Sequence, residues 1–137
     1  MEYNVKGLNL LSKQFNKFVV SAGFDNNDVP LRIALIHSEI SEAFEAFRKD
    51  KYADLTPVLN ETLYYVNSDI PCCEKDNIKF KLLFEEKIKD SFEDEIADSI
   101  IRLLDLCGKL NIDIENHIKL KMAYNETRGF KYGGKKF

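Results

Sequence analysis

Four carboxylates stand out for the company they keep. Glu39 and Glu42 lie three residues apart in Leu35-Ile36-His37-Ser38-Glu39-Ile40-Ser41-Glu42-Ala43, and Glu95 and Asp98 repeat the spacing in Glu95-Ile96-Ala97-Asp98. On an α-helix this spacing puts both acids of a pair on one face. With Glu39 taken as zero and about 100° per residue, Ala43, Ile36 and Phe47 fall within about 80° on one side, and Ala46 and Leu35 within about 40° on the other. Apolar neighbours thus enclose Glu39, Glu42 sits beside Leu35 and Ala46, and Glu45 points further toward solvent. A buried carboxylate is costly unless it is paired or binds a cation. Two such pairs on facing helices can converge on one centre, which is how helix bundles build metal sites. All-oxygen ligation favours Mg²⁺, or Mn²⁺ in its place, over zinc. The competing reading is an exposed ion-pair row, in which Arg102 neutralises Asp98 and Asp105 along the stripe Glu95, Asp98, Arg102, Asp105.

The elements that must position these acids are helical. Leu8, Leu11, Phe15, Phe18 and Val19 predict a first helix over 8–22, stopped by Gly23 and followed by a loop at 25–28. Pro30 suits the first turn of a second helix over about 30–49. A third runs from about 85 or 91 to 107 and is expected to end at Gly108. Asp113 can cap a fourth over about 114–128. No strong strand alternation appears. Within 51–84, Val58-Leu59 and Leu63-Tyr64-Tyr65-Val66 fit either a short helix or a hairpin arm. Past its first turn the third helix is apolar nearly all round apart from its charged stripe, as a buried helix would be. Three partner helices in one subunit cannot cover that much apolar surface, which predicts a homo-oligomer, first of all a two-fold dimer.

Composition narrows the function. The chain has 137 residues, 45% of them apolar with ten Phe and six Tyr, enough for one domain with a real core and too apolar for disorder. No apolar run approaches the roughly 18–20 residues of a membrane span, and Met1-Glu2-Tyr3-Asn4 lacks the pattern of a signal peptide. A cytoplasmic protein is expected. Three Cys, with Cys72 and Cys73 adjacent and no Cys-x-x-Cys, argue against a secreted disulfide framework and against structural zinc. Residues 118–137 carry +5 on a chain of net −3, which leaves −8 for the rest. That division does not suit duplex DNA. It suits a small anion held between a metal site and basic side chains, or else a solvated Lys-rich tail. His37, about 160° from Glu39, reads as structural rather than catalytic. Phe24, Tyr124 and Phe130, at helix ends, could stack on a base but read first as core. Gly133-Gly134 reads as a turn.

Taken in order, these segments resemble the MazG-like nucleotide pyrophosphohydrolases. Glu39-Ile40-Ser41-Glu42 and Glu95-Ile96-Ala97-Asp98 look like that family's ExxE and ExxD motifs, Ile100 to Gly108 looks like the continuation of its second motif helix, and Lys121 to Phe137 is similar to its closing Lys…Tyr-Asn…Arg…Lys-x-Gly-Gly-Lys segment. The match covers about half the chain. It implies an all-α, four-helix core in a single domain over 1–137, a homodimer or homotetramer, and Mg²⁺-dependent cleavage of a nucleoside triphosphate to monophosphate and pyrophosphate. It gives the metal-ligating and catalytic roles to Glu39, Glu42, Glu95 and Asp98. It makes Lys121, Asn125, Arg128, Lys131 and Lys135 candidates for contact with the substrate. No nucleic acid and no membrane enters this reading. Two departures bear on substrate choice: 52 residues separate Glu42 from Glu95, so that about 51–90 forms an insertion or lid, and Ser38 stands where the family commonly has a first Glu. A dUTPase-like or phosphoribosyl-ATP-type enzyme and a non-catalytic helical interaction protein are the alternatives.

The basic segment supplies a test. If it grips phosphates, truncation after Gly129 should raise KM and lower kcat while the helical core stays folded. Arg128→Ala should lower kcat/KM by about ten- to a hundredfold, the worth of one charge-assisted contact, and more than Lys136→Ala, because a guanidinium binds phosphate in a bidentate way. Unchanged pyrophosphate release in all three would show that the segment is only a tail.

Overall fold

A computed structural model describes residues 3–66 and 74–128, and only the backbone of 61–66 and 74–77. Six helices follow one another: α1 (Leu8–Ser21), α2 (Val29–Arg48), α3 (Leu55–Val66), α4 (Glu74–Lys87), α5 (Phe92–Lys109) and α6 (Ile114–Thr127). The fold is all-α, with no strand among the described residues and no described helix long and apolar enough to cross a membrane. The backbone divides into two compact units. One comprises residues up to Arg32 and from Ile101 onward, the other Ile33–Ile100, so α2 and α5 each contribute to both.

In the first unit α1 packs on α6, and the two helix starts serve each other. Gly7, at φ 95°, precedes α1 and brings no capping side chain. The Glu115 carboxylate accepts instead from the Gly7 and Asn9 backbone N–H groups at 2.9 and 3.0 Å. Asp113 caps α6 as expected, accepting from the Asn116 N–H, and also takes a 2.8 Å bond from the Asn9 amide. Gly23, at φ 89°, stops α1 as expected. Asp28 opens α2 by accepting from the Leu31 N–H at 3.0 Å, which leaves Pro30 in a first turn where no donor is missed. Asp105 is buried against Arg32 at 2.5 Å and accepts from Asn16 at 2.8 Å. The Arg32 Nε in turn donates to the Asn26 carbonyl.

The expected end of the third helix is corrected. α5 passes through Gly108 to Lys109, and the left-handed residue that ends it is Asn111, at φ 52°. Gly108 is small for another reason: a Cβ there would overlap the backbone carbonyl of Ser12, itself fully buried on α1.

In the second unit α3 packs on α4, which settles 55–66 as helix rather than hairpin arm. Residues 85–87 belong to α4, and α5 starts only after Asp90 (φ 55°) and Ser91, whose hydroxyl accepts from the Asp94 N–H. The connection after α2 fixes that start. The Lys51 carbonyl accepts from Phe92 at 2.8 Å, Glu93 accepts from the Ala53 N–H at 2.8 Å, and Phe92 meets Phe47 and Tyr52 with ring centroids 5.7 and 6.3 Å apart. Among the described residues, Ile36, Ala43, Ala46, Val58 and Ile88 are this unit's buried apolar residues. In the single chain Glu95, Ser99, Leu104 and Asp105 of α5 are buried, whereas Ile96, Ile100, Ile101 and Leu103 are exposed, so polar residues of the helix are covered and much of its apolar surface is not.

Gly108→Ala should therefore destabilise the protein by about 1–3 kcal/mol, the usual cost of overpacking, although alanine is the better helix former. Gly23→Ala, which meets open space but a left-handed backbone, should cost about 1 kcal/mol. Urea unfolding of both variants checks the order; a stabilising Gly108→Ala would refute the close contact.

Candidate metal centre

The second unit brings both carboxylate pairs to one cavity. On α2 the buried residues of this unit are Ile36, Glu39, Ala43 and Ala46, spaced along one helical stripe; on α5 they are Glu95 and Ser99, preceded by Ser91. Glu39 is 8% exposed and Glu95 6%. One carboxylate oxygen from each of Glu39, Glu42 and Glu95 lies within 4.8 Å of the others. Glu42 is exposed and accepts a 3.0 Å bond from the Ser38 hydroxyl. Asp98 is also exposed; it lines the same cavity but stands outside the cluster of three.

Electrostatics sets Glu95 apart. Among the described residues no hydrogen bond or ion pair reaches its side chain, and burial, followed by the charges of Glu42, Glu39, Asp94 and Asp98, pushes its pKa up from 4.5 to about 7. Burial also raises Asp94. The Asp90 backbone N–H, donating to it at 2.9 Å, works against that shift, while the Asp98 and Asp90 charges add to it. Ala43 and Ala46 on α2 and Ser91 and Ser99 on the α5 side are small and buried beside these acids.

The cavity holds about 400 Å³. Its lining includes residues to which the sequence assigned no role. Asp94, Glu85 and Asp90 add acids, while Phe80, Lys81, Phe84 and Lys89 come from α4 and the turn after it. No spacing signal marks this second group, because α4 lies in the stretch where no periodic pattern dominates.

The candidate substrate residues fall in the first unit. The Lys121 ammonium stands 5.5 Å and the Arg128 guanidinium 5.8 Å from the Tyr124 ring centroid, and the Asn125 carbonyl accepts from the Arg128 N–H. Lys131 and Lys135 lie outside the described residues, as do Phe130, Gly133-Gly134 and Cys72-Cys73. Phe24 and Tyr124 are exposed, which corrects the reading of both as core. His37 is exposed and does not line the cavity. The surface row of the competing reading does not form at its Asp105 end, since Asp105 is buried against Arg32.

The Glu39, Glu42 and Glu95 set fits a hard divalent cation, because a buried carboxylate ringed by like charges needs a positive partner to stay ionised. No family model, curated protein or solved structure matches the chain.

Without metal, folding should itself be pH-dependent. The folded state holds the Glu95 proton to about pH 7, whereas the unfolded chain releases it near the ordinary value of 4.5. Stability is therefore highest below pH 4.5 as far as this group is concerned, and falls as pH rises to about 7. Glu95→Gln should flatten that slope, leaving the metal-free variant about 1–3 kcal/mol more stable than the parent at pH 8 and little changed at pH 4. Urea unfolding in chelator at both pH values checks this; identical slopes would clear Glu95 as the cause.

Proposed function

We propose that the chain is a Mg²⁺-dependent nucleotide pyrophosphohydrolase of the MazG-like type, converting an NTP or dNTP to its monophosphate and pyrophosphate. In this reading the chain has that family's four-helix core, and α3 with α4 is the insertion. The observation that carries it is the meeting of Glu39, Glu42 and Glu95 within 4.8 Å, with Glu95 buried and without a counter-charge among the described residues.

The buried Glu39 and Glu95 would hold the cation from the floor of the cavity, with Glu42 and Asp98 at its open side; Mn²⁺ can substitute. When bound, such an ion offsets phosphate charge and acidifies water. In the reaction the water oxygen bonds to the α-phosphorus while the bond to the α–β bridging oxygen breaks, and pyrophosphate leaves with the electron pair. The water's proton passes to the Glu42 carboxylate, which is open to solvent and steadied by Ser38. The resemblance makes Lys121, Asn125, Arg128, Lys131 and Lys135 candidates for phosphate or nucleotide contact, and the +5 charge of that segment on an acidic chain supports it. A two-fold homodimer belongs to the same reading. Ile40 and Phe44 on α2 and Ile96 and Ile100 on α5 are exposed in the single chain, and a second copy would cover such an apolar surface.

Millimolar Mg²⁺ or Mn²⁺ should raise Tm by about 5 °C, and Glu39→Gln should abolish that shift without unfolding the protein. Pyrophosphate release across a panel of canonical and modified NTPs and dNTPs should then be metal-dependent and absent in the variant. A metal shift with no release from any nucleotide would favour a non-catalytic helical protein, and no shift at all would remove the metal centre.

A further inference from the structure

The acids occupy only part of their cavity. At about 400 Å³ it falls in the range of small-molecule sites, with room for an organic ligand beside an ion. Its walls differ in kind. α2 and α5 present the carboxylates. α4 presents Phe80 and Phe84, one turn apart on the same side of the helix, with ring centroids 5.9 Å apart and planes tilted by 48°. Phe80 is 41% exposed, so an apolar ring stands open to water in a cavity otherwise dominated by charge. Lys81 and Lys89 flank the rings on the same wall. Lys81 reaches Glu85 only at 3.9 Å, on an exposed face where such a pair is worth little and readily exchanges for another anion. Glu95, which lines the same cavity and is buried with no hydrogen-bond or ion-pair partner among the described residues, points independently to something that binds here.

A ligand that satisfies both walls is anionic at one end and planar and aromatic at the other. We infer that Phe80 and Phe84 of α4 are the stacking platform for the substrate's base, so that the cavity selects bases by stacking area and takes purine nucleoside triphosphates ahead of pyrimidine ones. This deepens the pyrophosphohydrolase reading and rests on it. The two rings themselves carry no group that can read a base's hydrogen-bonding edge, so the selection they impose is by stacking area. The wider purine ring system covers more of the platform than a pyrimidine does.

Isothermal titration in Mg²⁺ with three probes tests the assignment: the α,β-imido analogues of ATP and CTP, which cannot be cleaved at that bond, and inorganic tripolyphosphate, which has no base. The parent protein should bind the ATP analogue tighter than the CTP analogue, and both tighter than tripolyphosphate. Phe80→Leu and Phe84→Leu should each weaken the ATP analogue by about five- to a hundredfold, the worth of one stacked base, and leave tripolyphosphate within about twofold. Melting curves follow the fold in parallel; Phe80, the more exposed ring, is the variant least able to disturb it. Equal losses for all three probes, or no loss for any, overturn the platform and leave the pyrophosphohydrolase reading standing. A parent protein that binds none of the three removes both.

Discussion

Glu39 and Glu95 face each other across two helices, both nearly out of reach of water, and the second unit is arranged to tolerate that arrangement. Two like charges within 4.8 Å repel by about 3–4 kcal/mol at the effective dielectric of a protein interior. Desolvation adds to the cost. The sequence meets it with small buried neighbours, Ala43 and Ala46 on α2 and Ser91 and Ser99 on the α5 side. It also meets it with anchoring of the start of α5, through the tilted and edge-on ring contacts of Phe92, the Lys51 carbonyl and the Glu93–Ala53 bond. A helix end held this tightly cannot swing away to relieve the repulsion. What yields instead is the ionisation of Glu95.

The charged stripe of α5 makes the point by contrast. Ten residues beyond Glu95, Asp105 is equally buried. There the chain provides its own counter-charge, Arg32, and an amide donor, Asn16. A fold able to neutralise one acid of the stripe so completely leaves the other ringed by carboxylates. That asymmetry is the physical reason to look outside the chain for the partner of Glu95. It also separates a structural buried ion pair, whose two members sustain each other, from a buried Glu95 that no hydrogen bond or ion pair reaches among the described residues.

The i, i+3 acids in apolar segments were legible because periodicity and charge conflict there, and the conflict shows on paper. So were the all-helical character and the caps at Gly23 and Asp113, which follow from local backbone preference. Other features leave no local mark. Gly108 reads as a helix stop until Ser12 is known to press on it. α4 places Ile78, Phe80, Leu82 and Phe84 around several sides, so no single stripe announces the helix or its cavity-facing rings. Asp94 looks like an ordinary first-turn acid; only the fold reveals that it lines the cavity while accepting from Asp90. The apolar residues of α5 suggested burial from every side, but hydrophobicity alone does not say whether the covering surface comes from the same chain.

The mutual capping of α1 and α6 has a consequence for how the chain acquires its structure. The donors at the start of α1 are satisfied by Glu115, more than one hundred residues downstream. A nascent chain leaving the ribosome exposes α1 long before its cap exists. Short helices without a cap or a packing partner are marginal in water, so α1 is expected to fluctuate until α6 has emerged to cap it. Closing so long a loop makes the docking of α1 on α6 a late, high-contact-order event. The acidic centre, built wholly from residues 33–100, can assemble before it.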